Sequence, residues 1–175
     1  QQFFRDEKGW PHPKKPAKPD ADILQALGKF EATMTELTQA AKERSLCRYD
    51  IKYEAHFSAL LPHLSPLRNF VKSYTLRGLA HQANDNPEAA LADVRMCFFL
   101  TESIRDEPML ISQLVRIASL QIALQPVWEG LKEEKWNAEQ LAAIEKQLSD
   151  IDLLHGYHES MVGERVMGNL MVDDY

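Results

Sequence analysis

The chain has 175 residues, 45% of them apolar and 26% charged, with a formal net charge of −6, the composition of one globular domain rather than of a disordered chain. Its basic residues are dispersed, so no concentrated positive field is available for a phosphate backbone, which argues against a nucleic-acid partner. Arg, Lys, Asp or Glu interrupts every apolar run before it reaches the roughly 18 residues of a membrane span. Gln1, not Met, is the first residue, the mark of a processed chain or of a cut piece. Cys47 and Cys97 lie far apart and outside any CxxC spacing. They read as two partly buried thiols, with a single disulfide in an oxidising compartment as the alternative.

Residues 1–19 read as an extended arm, because Pro11, Pro13, Pro16 and Pro19 fall within nine positions and proline removes donors and fixes φ. Lys14, Lys15 and Lys18 make the stretch a solvated tether. Phe3, Phe4 and Trp10 are out of place on a free tail and mark the arm as a partner-binding candidate, docking on the body, a second copy or another subunit. Residues 20–175 form a single helical domain.

Asp22, with Gln25 three residues on, has the pattern of a capping box. Ile23, Leu27, Phe30, Met34, Leu37 and Ala41 then recur at steps of four and three, which predicts a helix to about Arg44 with a heptad-like seam. Between Leu46 and Leu64 the pattern is irregular: Tyr49, Ile51 and Tyr53 alternate like a strand, and a short helix follows. Ser65 and Pro66 suit the start of a helix ending near Ala83. Asn84–Asn86 form the turn, and Asn86 and Pro87 open the next helix, whose inner side carries Leu91, Val94 and Cys97. So short a link predicts an antiparallel hairpin.

Asp106, Glu107 and Pro108 break that helix. The stripe Leu110, Leu114, Ile117, Leu120, Ile122 and Leu124 is wide enough to predict burial on most sides, with Leu114, Ile117 and Leu91 in the central core. Pro126 is expected to end or kink this helix, and Val127, Trp128 and Leu131 continue it. Asn137 and Gln140 form a second capping box ahead of Leu141, Ile144, Leu148 and Ile151. Gly156 interrupts, and Met161 to Met171 read as a further helix whose continuation is expected beyond residue 175.

No nucleophile elbow, Walker loop or dinucleotide fingerprint is present, and nothing in the motifs calls for a catalytic residue or a cofactor. Arg116, set among Leu110, Leu114, Ile117 and Leu120, needs a carboxylate, and Glu164 is the expected partner in a structural ion pair. Asp152, His155, His158 and Glu159 are the one cluster with metal-ligand chemistry. On a helix they fan over roughly 120° of one side, which suits zinc or iron in an alternative reading as a metal-binding bundle or enzyme.

From Tyr74 to Glu102 the small residues Gly78, Ala90 and Cys97, with Leu91 and Val94, resemble one tetratricopeptide repeat. Arg77 stands where that repeat has a large apolar residue, and no second copy follows at a 34-residue offset. The runs LLPHLSPLRNF (60–70), NDNPEAALADV (84–94), DEPMLISQLVRIA (106–118) and GER (163–165) resemble an uncharacterised family of bacterial helical proteins. That resemblance implies an N-terminal membrane anchor followed by a helical region outside the membrane, and no known activity. Together these readings give an all-α fold of antiparallel hairpins, packed as a bundle or a short tetratricopeptide-like solenoid. The function expected of it is that of a non-enzymatic interaction or scaffold module, or a subunit of a larger assembly. Its partners would be proteins, and its setting extracytoplasmic or membrane-associated, with the cytoplasm as the alternative.

Overall fold

A computed structural model describes residues 18–44 and 47–173. Helix covers 79% of the described residues and none of them is in a strand, so the alternation at Tyr49, Ile51 and Tyr53 forms no strand. The elements are α1 (Pro19–Leu27), α2 (Glu31–Glu43), α3 (Leu64–Ala83), α4 (Pro87–Glu102), α5 (Leu110–Ala123), α6 (Gln125–Lys132), α7 (Ala138–Ser149) and α8 (Leu153–Asp173). Short 3₁₀ turns at Gly28–Phe30 and Tyr53–Ser58 complete the order.

Local chemistry sets several boundaries. Pro19 occupies the first turn of α1 behind an extended Lys18, so the helix begins three residues before the expected Asp22. Asp22 is buried inside it rather than capping it. The heptad-like seam is not carried by one helix: the turn at Gly28–Phe30 separates α1 from α2, and Leu27 and Met34 are its fully buried members. The helix expected from Ser65 starts at Leu64, with His63 at the cap and no side-chain capping bond. Asn86 accepts a hydrogen bond from the Ala89 amide at the head of α4. Asn137 and Gln140 form the full reciprocal box at α7, the arrangement expected to be worth about 1 kcal/mol at a helix start.

The core lies between α3 and α4, which run antiparallel. Val71, Tyr74, Ala90, Val94, Cys97 and Ile104 are buried together, with Leu91 among them as expected. The Tyr74 hydroxyl donates to the Met34 carbonyl (2.8 Å) and ties α2 to this pair. Arg77 of α3, bidentate on Asp93 of α4 (2.7 and 3.1 Å), seals the rim. Gly156 does not interrupt α8, because it lies on the helix's packed face with Ser160, Gly163 and Met167. A Cβ at Gly156 would meet Arg116 Nη1 at 2.5 Å, and one at Gly163 would collide with the Pro108 carbonyl. These absent side chains let α8 close over the segment that leads into α5.

Candidate interaction surface

Between α4 and α5 the backbone from Ser103 to Met109 leaves helical geometry, and its carbonyls need donors. The polar side of α5 supplies them. Gln113 donates from Nε2 to the carbonyls of Arg105 (2.8 Å) and Glu107 (3.2 Å). Arg116, 2% exposed, donates from Nε and Nη2 to the two oxygens of Glu102 (2.9 and 2.8 Å). Its Nη1 reaches Gln113 Oε1 (3.2 Å) and the Asp152 carbonyl (3.3 Å). The expected pairing of Arg116 with Glu164 is therefore replaced by one with Glu102. Glu164 instead accepts from the Leu110 amide (3.0 Å), capping α5 from α8, where a carboxylate is favoured by the helix dipole.

With Ser112, Gln113, Arg116, Ser119, Leu120 and Ala123 turned inward, the most apolar side of α5 has nowhere to go but out. Ile111 is 47% exposed, Leu114 50% and Ile117 39%, which corrects the placement of Leu114 and Ile117 in the core. The apolar stripe overlaps the inward arc only at its edge, because the loop's hydrogen-bond demand selected the polar face. The row continues onto α6 at Trp128 and Leu131. On α8, packed beside α5, Tyr157, Met161, Val166 and Leu170 are also exposed. Leu110–Lys132 is, by length and composition, long and apolar enough to cross a membrane, contrary to the expectation from interrupted runs, although a core helix passes the same measure. Arg116 is the one charged residue between Leu110 and Trp128.

Asp152, His155, His158 and Glu159 are not gathered into a ligand set; among the described residues no three His, Cys, Asp or Glu side chains are grouped to hold a metal ion. Asp152 accepts from the His155 amide (2.8 Å) and so caps α8, while His155, His158 and Glu159 are exposed. Phe3, Phe4 and Trp10 lie outside the described residues. Cys47 is exposed and Cys97 buried, and both are free. Burial pushes the Cys97 thiol up to about 12, which suppresses the reactive thiolate.

A cleft of about 660 Å³ opens between residues 47–53 and the α4–α5 link, lined in part by Cys47, Tyr49, Tyr53, Ser103 and Glu107. Tyr49 stacks on His63 at 4.0 Å, and His63 is bonded to Glu107 (2.7 Å). Burial pushes the Tyr49 phenol up to about 12. Its hydroxyl pairs with Ser103 (3.2 Å), and Ser103 donates to the Leu100 carbonyl (2.6 Å) rather than to a base. Nothing in the spacing marks Glu102, Gln113 or Glu107 as partners, since their bonds are made across the irregular link or from within it. Comparison with family models, with curated proteins and with solved structures returned no match.

Proposed function

We propose that the chain is a non-catalytic helical interaction module that receives the apolar face of a partner protein's helix along Ile111, Leu114 and Ile117. The observation that carries this reading is the reversal of α5: Arg116, Gln113, Ser112 and Ser119 are buried while three large aliphatic side chains at successive three-residue steps face outward. A contiguous apolar row of this kind is the surface that an amphipathic helix recognises. A protein is favoured over a bilayer as occupant because the outward side of α5 carries no Lys or Arg and the chain's net charge is −6, which anionic headgroups repel.

The packing of Gly78 on α3 against Ala90 and Asp93 of α4 supports a tetratricopeptide-like reading of the α3–α4 pair, with Arg77 taking Asp93 as partner in place of an apolar contact. The extracytoplasmic, membrane-associated setting that we propose rests on the family resemblance of residues 60–165, and surface labelling of intact cells tests it. The docking reading is tested by a photo-reactive side chain at position 114, irradiated in the native cell. Cross-links from 114 to one protein, absent from the same group at the exposed Glu145 of α7, are the expected result. Equal yields at both positions reject it.

A further inference from the structure

We propose that the cleft between residues 47–53 and the α4–α5 link binds a small molecule through a primary alkylammonium group, with the Glu107 carboxylate as acceptor and Tyr49 and Tyr53 as aromatic walls. The cleft and the row on α5 share no residue, and the inference does not depend on that row's occupant. At about 660 Å³ the cleft lies within the range of small-ligand pockets.

Of the residues that line it, Glu107 alone is buried, its side chain only 9% exposed. One carboxylate oxygen, Oε1, meets His63 Nε2 at 2.7 Å. The other, Oε2, is buried with no hydrogen-bond partner among the described residues. A buried carboxylate oxygen in that state is costly, and a donor brought by a ligand removes the cost. The carboxylate also lies within electrostatic range of the opposite side of the cleft. Burial first, and then the Glu107 charge, hold the Tyr53 phenol above its ordinary value, and the same charge reaches Tyr49.

The remaining charges select the sign of the ligand. Asp50 and Asp106 line the cleft with Glu107, against Arg48 as the one cation, so the site attracts positive charge. Asp106 is shared with Arg105 (3.3 Å), which leaves Asp50 and Glu107 for a ligand. Among the described residues no three His, Cys, Asp or Glu side chains are grouped to hold a metal ion, and this favours an organic cation. A primary ammonium supplies N–H donors for Oε2 and a charge that aromatic faces attract, while its alkyl carbons suit the same rings. The site is also set in advance. Gln113 holds the Glu107 carbonyl (3.2 Å), and Tyr49 is fixed by stacking on His63 and by its bond to Ser103, so little ordering is left for binding to accomplish.

Titration of the full chain with 1-aminobutane, followed by amide NMR shifts, tests this. Saturable shifts confined to residues 47–53 and 103–108 are expected, with affinity lowered at least about tenfold in Glu107→Gln, as the loss of a charge-assisted bond predicts. Leu114→Ser should leave the titration unchanged, which separates this inference from the docking row. 1-Butanol, a neutral analogue, should give no saturable shift, and an equal response would overturn the ammonium assignment. Tetramethylammonium, a cation without N–H, should bind more weakly, and equal affinity would remove Oε2 as the acceptor. Both comparisons use the unaltered chain, so they decide the matter even where Glu107→Gln fails to fold. The same shifts with magnesium chloride would reduce the site to general counter-ion attraction and overturn it, as would the absence of saturable shifts with 1-aminobutane.

Discussion

The α3–α4 and α5–α8 pairs bury opposite kinds of surface. In the first, Val71, Tyr74, Val94 and Cys97 fill the interface and the Arg77–Asp93 pair stands at its rim. In the second, Arg116, Gln113 and Ser160 lie inside with Gly156, and Ile111, Leu114 and Ile117 lie outside. The difference comes from what each pair must accommodate. Helices α3 and α4 meet with their backbone bonds satisfied internally, so apolar area decides which side is buried. Helix α5 packs over an irregular link whose carbonyls would otherwise be stranded, and an unsatisfied buried polar group costs about 1–3 kcal/mol. Several such groups together outweigh the burial of a leucine at about 1.5–3 kcal/mol.

Breaking the polar interior should therefore have the largest effect. Glu102→Ala strands a buried guanidinium and should cost about 3–5 kcal/mol, measured by urea unfolding, whereas Glu164→Ala removes a helix cap and should cost about 1 kcal/mol. Equal losses would return Arg116 to Glu164. The apolar contrast comes next: Leu91→Ala should cost about 2–5 kcal/mol and Leu114→Ala less than about 1. A larger loss at Leu114 would turn α5 around and remove the docking row. Gly163→Ala, which sets a methyl group against the Pro108 carbonyl, should cost about 1–3 kcal/mol, and a neutral result would mean that α8 does not close on that link.

The smallest expected effect is one of pH. Burial raises the Cys97 thiol from 9.0 to about 12, so its contribution is fully present below the unfolded value and lost as pH rises toward the folded one. The wild type should lose stability from about pH 9 upward, and Cys97→Ala should lose less over the same range. Melting curves with parallel pH slopes would count against a buried thiol.

The helical class, the Asn86 and Asn137 starts and the burial of Leu91 were legible because each depends on local spacing or a cap a few residues away. The outward face of α5 was not. Leu114 and Ile117 have the periodicity of a core stripe, and nothing within α5 announces that Gln113 and Arg116 answer carbonyls in the preceding link. Spacing along the chain does not separate Glu102 from Glu164 as the partner of Arg116, and the packing of α8 brings Glu164 to the Leu110 amide instead. Gly156 has the local signature of a break because glycine lowers helix propensity by about 1 kcal/mol, a cost offset here by close packing on Arg116 and Gln113. The metal-like cluster failed for a related reason, since Asp152 is engaged at the helix start.

The cap on α5 also bears on how the molecule is made. The carboxylate that receives the Leu110 amide lies 54 residues further along the chain, and the Asp152 carbonyl bonded to Arg116 lies 36 residues on. During synthesis α3 and α4 emerge with their interface complete, whereas α5 leaves the ribosome with its polar side only partly answered and its first turn uncapped. Domains settle in the order in which their contacts become available, and distant contacts come late. Completion of α5 therefore waits for α8, and a nascent chain arrested before residue 164 would hold a finished first pair beside an unfinished helix, the species on which a chaperone would act.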